Sequence, residues 1–266
     1  MKYAITGHKG LIGKELKERL DSAGHTCELA VDKRDYNKEN IIDMEDWKVK
    51  GVDIFFQLAA HCKINQAIKN PALPFENNVL GIYSVLEFCR RNKIPKIVFF
   101  SSSRVLSKEN NPYTVSKLYG EELCKAYKAC YGIDYIIIRP STVYSPGKDE
   151  THRLMDIWIN NAKKGKYLEI YGDKHKSLSF TYVEDFVDGV MRFIKVWNEN
   201  YNKEYNIAGN EELLVDVAKE IKRQTKSKSK IVFKSPETEQ PQIVHLQSDF
   251  KCLTTIKEGI RKCLLE

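Results

Sequence analysis

Tyr113 and Lys117 stand four residues apart in the helical pattern Tyr113-Thr114-Val115-Ser116-Lys117, and the serines Ser101-Ser102-Ser103 precede them at the end of a strand pattern. Residues spaced i, i+4 lie on one helical face, a turn apart. An ammonium beside a phenol stabilises the phenolate, with each pKa unit worth about 1.4 kcal/mol. The result is a phenol that exchanges a proton near neutral pH. The Tyr-x-x-x-Lys spacing alone is common on surface helices. Its weight here comes from a second array near the start of the chain.

That array is Thr6-Gly7-His8-Lys9-Gly10-Leu11-Ile12-Gly13, placed between a strand pattern at 2–6 and a helical one at 11–23. Gly7 suits a tight turn, Gly10 lets the backbone approach a pyrophosphate, and Gly13 lets helix and strand pack closely. The free N–H groups of the helix start would then face the phosphates. Asp32 follows Gly13 by nineteen residues, at the end of the second strand pattern. There a carboxylate accepts from both ribose hydroxyls of an adenosine, which favours NAD. Lys33 and Arg34 beside it leave the 2′-phosphate of NADP open. Asp43, at the end of a further strand candidate, is open to two readings: contact with the adenine amino group, or a cap on the helix that follows.

Elements able to position these groups are legible over the first two thirds. Near-continuous apolar runs at 2–6, 26–31, 53–58, 96–101 and 134–139 read as strands covered on both faces. Helical patterns at 11–23, 74–91 and 112–131 alternate with them, the signature of an α/β fold with a parallel sheet and crossover helices. Asn111 and Pro112 mark a helix start. Beyond Pro140 the pattern mixes helices at 153–164, 183–198, 211–225 and 254–265 with short strands at 167–170, 178–182, 204–207 and 230–233.

Taken together, these motifs resemble the extended short-chain dehydrogenase/reductase family, which includes nucleotide-sugar epimerases and dehydratases. The resemblance continues through Leu58-Ala59-Ala60-His61, Asn78-Val79-Leu80-Gly81, Arg139-Pro140 to Pro146-Gly147, Tyr171-Gly172-Asp173, Phe180-Thr181-Tyr182-Val183-Glu184-Asp185 and Tyr205-Asn206-Ile207-Ala208-Gly209. It implies a Rossmann-type doubly wound parallel sheet, an NAD-binding domain at 1–140 joined by parts of 178–207, and a small C-terminal substrate-binding lobe, mainly 141–266.

The resemblance also implies roles. Tyr113 is the acid/base, and Lys117 binds the nicotinamide ribose and lowers the phenol pKa. Ser102, with Ser103 as second choice, is the substrate-hydroxyl donor. Gly7, His8, Lys9, Gly10, Leu11, Ile12, Asp32, Lys33, Asp43, Leu58, Ala59, Ala60, His61 and Pro140 surround the cofactor, with Tyr113 and Lys117. Ser102, Ser103, Arg104, Thr142, Leu178 and Gln242 stand at substrate-facing positions, and no metal is called for. His61 equally reads as a polar loop residue, and Asn78 as a structural tie.

Departures from the family pattern bear on the substrate. Leu106-Ser107 replace the usual Tyr-Gly, and Ser103-Arg104 replace the Asp-Glu pair with which family dehydratases expel water. Leu178 and Gln242 stand where nucleotide-sugar enzymes carry diphosphate-binding arginines. Losing one charge-assisted phosphate contact forfeits about 1.5–3 kcal/mol. Lys174, His175, Lys176 or the 219–234 segment are candidates to compensate; otherwise the substrate is not a nucleotide sugar. The expected activity is an NAD-dependent sugar epimerase, 4-epimerisation first, with a one-way NAD(P)-dependent dehydrogenase or reductase as alternative and a non-catalytic NAD(H)-binding module third. A homodimer follows from the resemblance alone.

Composition bounds these expectations. The 266 residues carry 43 Lys+Arg and 36 Asp+Glu, a formal charge of +7. The segment 219–234 alone holds +6. It lacks the interleaved aromatics of a nucleic-acid surface and reads as a solvated helix end and loop. No run of 18 apolar residues or leader pattern is present, so neither a membrane nor a nucleic-acid partner is expected. Seven cysteines without a Cys-x-x-Cys pair read as reduced core thiols of a cytoplasmic protein; Cys62, next to His61, is also conceivable as a reactive thiol.

Overall fold

The computed structural model describes residues 1–35, 41–107, 110–147, 152–237 and 246–265. The first elements in chain order are β1 (Lys2–Thr6), α1 (Leu11–Ser22), β2 (Thr26–Val31), β3 (Ile54–Gln57), α2 (Ile64–Lys69), α3 (Ala72–Pro74), α4 (Gly81–Arg91), β4 (Lys96–Phe100), α5 (Pro112–Tyr131) and β5 (Asp134–Pro140). There follow β6 (Thr142–Tyr144), α6 (Leu154–Lys163), β7 (Leu168–Tyr171), β8 (Ser177–Tyr182), α7 (Val183–Lys195) and α8 (Trp197–Asn200). The chain closes with β9 (Lys203–Ile207), β10 (Glu211–Leu213), α9 (Leu214–Thr225), β11 (Ile231–Lys234) and α10 (Ile256–Leu265). It divides into two compact units, Met1–Arg139 with Val190–Tyr205, and Pro140–Gly189 with Asn206–Glu266.

The first unit is built on a six-stranded sheet in the order β2-β1-β3-β4-β5-β9. The pairs β1/β2, β1/β3, β3/β4 and β4/β5 are all parallel, as the apolar runs predict. Phe55 on β3 packs edge-on against Phe88 of α4 at 5.8 Å, inside a core shared with Val85, Ile97 and Ile137. From β1 the chain leaves to β2 on one side and returns to β3 on the other. In such sheets the loops beyond the carboxyl ends of the two strands part at this point and leave a crevice. Helix α5 starts where the sequence indicates: Asn111 Oδ1 accepts the Thr114 N–H at 3.0 Å, Pro112 follows, and Gly132 ends the helix at φ 75°.

The second unit holds a three-stranded sheet, β10-β8-β6, and a β11/β7 parallel pair. Its core gathers Trp158, Leu168, Phe180, Tyr182, Val217 and Ile260.

Three local expectations are corrected. The helix read at 74–91 is broken into α3, a π-helical turn at Phe75–Leu80 and α4. Asn77 Nδ2 bonds the Leu73 carbonyl at 2.8 Å within that turn, a local bond that competes with the regular ladder. The helix read from 211 begins at Leu214, because Glu211–Leu213 pair antiparallel with Ser177–Ser179 and tertiary pairing overrides their helical preference. Asp43 ends no strand; it sits in the 3-10 turn Ile41–Asp46.

Candidate active site

The glycine turn is shaped by sterics. Gly7 has φ 75°, and a Cβ there would meet the Ala59 nitrogen at 2.8 Å, so the loop after β1 lies directly on the loop after β3. A Cβ on Gly13 would lie 2.1 Å from the Gly7 carbonyl oxygen, leaving no room for any side chain. Gly10 donates its N–H to that same oxygen at 3.0 Å and opens α1. No side chain caps α1, and no acid stands in its first turn. The helix start therefore offers main-chain donors near Leu11 and Ile12 to an anion. Nδ1 of His8, within the turn, is buried with no hydrogen-bond partner in the protein. The narrow cradle, the uncapped helix start and the orphaned imidazole nitrogen fit the diphosphate of a dinucleotide.

Asp32 follows β2 and is 3% exposed. Its Oδ1 accepts from Arg34 N at 3.0 Å and Nε at 2.7 Å, and its Oδ2 from Arg34 Nη2 at 2.7 Å and Lys9 N at 3.1 Å. Burial works to raise its pKa, but the Arg34 and Lys9 donors prevail and hold it below the usual carboxylate range. Both oxygens of the carboxylate that the sequence assigns to ribose hydroxyls are engaged by the guanidinium two residues on. Lys9 Nζ pairs with Asp35 at 2.5 Å. Lys33 is exposed.

Beyond β3, Leu58, Ala59, Ala60 and His61 are half-buried. Asn78 fixes this loop from the π-helical turn: its Oδ1 accepts the His61 N–H at 2.7 Å, and its Nδ2 reaches the His61 carbonyl at 3.1 Å and Ser116 Oγ at 2.8 Å. One side chain thus ties the loop to α5. Burial, with Lys33 and Lys63 adding to it, pushes the His61 imidazole down from its ordinary pKa despite its bond to the Lys63 carbonyl.

Lys117 and the serine run come together at the carboxyl end of β4. Tyr113 is 7% and Lys117 4% exposed on one stripe of α5. Lys117 Nζ donates to the Phe100 carbonyl at 2.8 Å and lies over the Phe99 ring at 5.2 Å. Gly120 permits this closeness, since a Cβ there would meet the Phe99 ring at 2.3 Å. Desolvation pushes the Lys117 pKa down to about 8, with Cys62 and Glu121 working against it. Ser102 Oγ accepts the Arg104 N–H at 3.2 Å and keeps its own hydrogen to donate. Ser103 is 7% exposed, at the start of the 3-10 turn Ser103–Leu106 that also holds Arg104.

Gly7, Lys9, Gly10, Asp32 and Arg34 thus form one linked group, and Ser102, Lys117 and the β4 end a second, all in the first unit. Pro140 and Thr142 lie at the end of β5 and the start of β6, and Leu178 packs against the core of the second unit. Gln242 lies outside the described residues. No sequence motif named above includes Glu121. Its Oε1 accepts from Ser101 Oγ at 2.5 Å and Arg139 Nε at 2.9 Å, and its Oε2 from Arg139 Nη2 at 2.5 Å. The signal was present, since Glu121 continues the four-residue spacing of Tyr113 and Lys117.

Residues 3–208 match the family described as NAD dependent epimerase/dehydratase. An uncharacterized UDP-glucose epimerase, YtcB, of Bacillus subtilis is 32% identical over 229 residues, covering 71% of each chain. A putative UDP-glucose 4-epimerase of Methanocaldococcus jannaschii is 29% identical over 228 residues, 74% of this chain and 75% of its own. Among solved structures, the UDP-glucose 4-epimerase of Thermotoga maritima with UDP-glucose superposes with a TM-score of 0.88 at 20% identity, over 100% of this chain and 98% of the other. MoeE5 in complex with UDP-glucose and NAD gives 0.88 at 23% identity and the same coverage.

Proposed function

This chain belongs to the NAD dependent epimerase/dehydratase family, and we propose that it is an epimerase of a nucleotide-activated sugar, inverting C4 by reversible hydride transfer. The observation that carries this reading is the buried Tyr113/Lys117 stripe, anchored through Lys117 on the Phe100 carbonyl two residues before Ser102, on the unit that also holds the glycine cradle. NAD, when bound, supplies a hydride acceptor that returns what it takes. Gly7, Gly10 and the α1 start would hold its diphosphate, and Asp32 or Arg34 its adenosine ribose. Ser102 donates its hydroxyl hydrogen to the reacting sugar oxygen and fixes it. Tyr113 takes the hydroxyl proton as the carbon is oxidised and gives it back on reduction. Lys117, charged and anchored on the Phe100 carbonyl, favours the phenolate. The names of the Bacillus and Methanocaldococcus relatives support a UDP-sugar. Ser103-Arg104, in place of an acidic pair, argues against dehydration.

Purified protein is expected to retain NAD and to interconvert UDP-glucose and UDP-galactose with no net NADH. Steady NADH formation from a free sugar, indifferent to added UDP, would replace this reading with a one-way dehydrogenase.

The proposal extends to a homodimer and a cytoplasmic setting. Val115, Leu118 and Tyr119 on α5 and Tyr83 on α4 are 40–54% exposed, an apolar patch that a second copy would cover. Light scattering of a Val115→Glu/Leu118→Glu variant at half the wild-type mass would support it; a monomeric wild type would end it. All seven cysteines are free thiols, as in a reducing compartment, which fractionation would test.

A further inference from the structure

The residues of the β4 end are pinned one after another. Phe100 offers its carbonyl to Lys117, Ser101 donates its hydroxyl to Glu121, and Ser102 presents the candidate substrate donor. Ser101 also gives its N–H to the Ile138 carbonyl of β5 at 2.8 Å, next to Arg139, whose guanidinium grips both Glu121 oxygens. Glu121, 1% exposed, lies one turn beyond Lys117 and two beyond Tyr113 on the same stripe. A single buried carboxylate therefore joins the helix that carries the phenol and ammonium to the strand end that carries the serine, with β5 as anchor.

We propose that Glu121 is a positioning residue for the reaction: held by Arg139, it fixes Ser101, and through Ser101 it sets the Phe100 carbonyl that anchors Lys117 and the hydroxyl of Ser102. The inference rests on the catalytic reading given above. A buried ion pair is weak evidence for stability, because apolar residues of similar volume often serve the core as well or better. A fully satisfied polar node instead gives a unique geometry. Arg139 balances the charge of Glu121, so its leading contribution is placement. Lys117 also feels Cys62, from the loop after β3.

The test uses full-length protein with bound NAD and UDP-glucose as probe. Misplacement of reacting groups by about an ångström can cost on the order of a hundredfold. Glu121→Gln is expected to keep KM for UDP-glucose and NAD content within about threefold while kcat falls at least about tenfold. Ser101→Ala removes one hydroxyl and no charge. It is expected to raise the Tyr113 phenol midpoint by roughly half a pH unit or more. That midpoint is read as phenolate absorbance relative to Tyr113→Phe, and Ser101→Thr should restore it. An unchanged midpoint in Ser101→Ala overturns the proposal, and that pair of variants decides the matter if Glu121→Gln does not fold. The titration needs no turnover. Failure of the catalytic reading shows separately, as wild-type turnover by Tyr113→Phe.

Discussion

The two ends of the first unit's strand edge are built differently. Around Gly7 and Asp32 the surface is main chain and short-range ion pairs, and the Arg34 side chain remains 32% exposed. Around Lys117 the polar groups are buried: Lys117, Ser101 and Glu121 are 4%, 3% and 1% exposed, and each bonds a partner on another element. Main-chain cradles tolerate side-chain change except where a Cβ would intrude. Buried side-chain networks tolerate little, because each lost partner leaves a desolvated group behind. The first arrangement suits holding a cofactor that several residues can help to grip. The second suits a proton transfer that requires one geometry.

The contrast breaks most sharply at Tyr113. Tyr113→Phe should lower kcat for UDP-glucose by about 10²–10⁴, the usual worth of a positioned acid/base, with bound NAD unchanged. An equal loss of NAD would mean that the residue serves the cradle instead. At the other end, Gly13→Ala forces a Cβ against the Gly7 carbonyl. It should abolish NAD retention and cost about 1–3 kcal/mol of stability, measured by denaturant melts. Retained NAD with an unchanged melt would show that the turn can relax.

Arg34→Ala sharpens the comparison at smaller amplitude. It strips the guanidinium from both Asp32 oxygens, leaving one main-chain N–H on each and room for a ribose diol, and removes the group a 2′-phosphate would use. Calorimetry should find NAD binding tightened, NADP weakened, and the ratio of the two dissociation constants changed by about tenfold or more, given about 1.5–3 kcal/mol for such charge-assisted bonds. An unchanged ratio would place Arg34 outside cofactor choice.

A pH dependence is expected at the Lys117 end. Lys117 is pushed down to about 8 in the folded protein from 10.5. The unfolded chain therefore binds the proton more tightly, and stability contributed by this group rises as pH climbs from about 8 to 10.5. The stability of Lys117→Met relative to wild type should accordingly be greatest below pH 8 and decline over that window. Parallel stability curves for the two proteins would contradict it.

Much of this was legible without coordinates. The parallel strands announce themselves as apolar runs buried on both faces, and Gly7 and Gly13 as positions where a turn and a helix contact allow no Cβ. The α5 start was readable from Asn111-Pro112, since a cap acts over three residues. Legibility failed where long-range pairing decided the outcome. Glu211–Leu213 read as helix until β8 supplied a partner, and the break at Phe75–Leu80 coincides with Asn77 and Asn78 bonding backbone and α5.

The sequence by itself determined the α/β class, the glycine turn and the Tyr113/Lys117 stripe, because each depends on periodicity or sterics among near neighbours in the chain. Tertiary structure alone decided what the buried charges face. Glu121 meets Ser101, twenty residues before it, and Arg139, eighteen after it. Asp32, although beside Arg34 in sequence, turns both oxygens inward to it. The direction in which a buried carboxylate points is set by which donors the fold brings within hydrogen-bond reach, and local pattern carries no record of that.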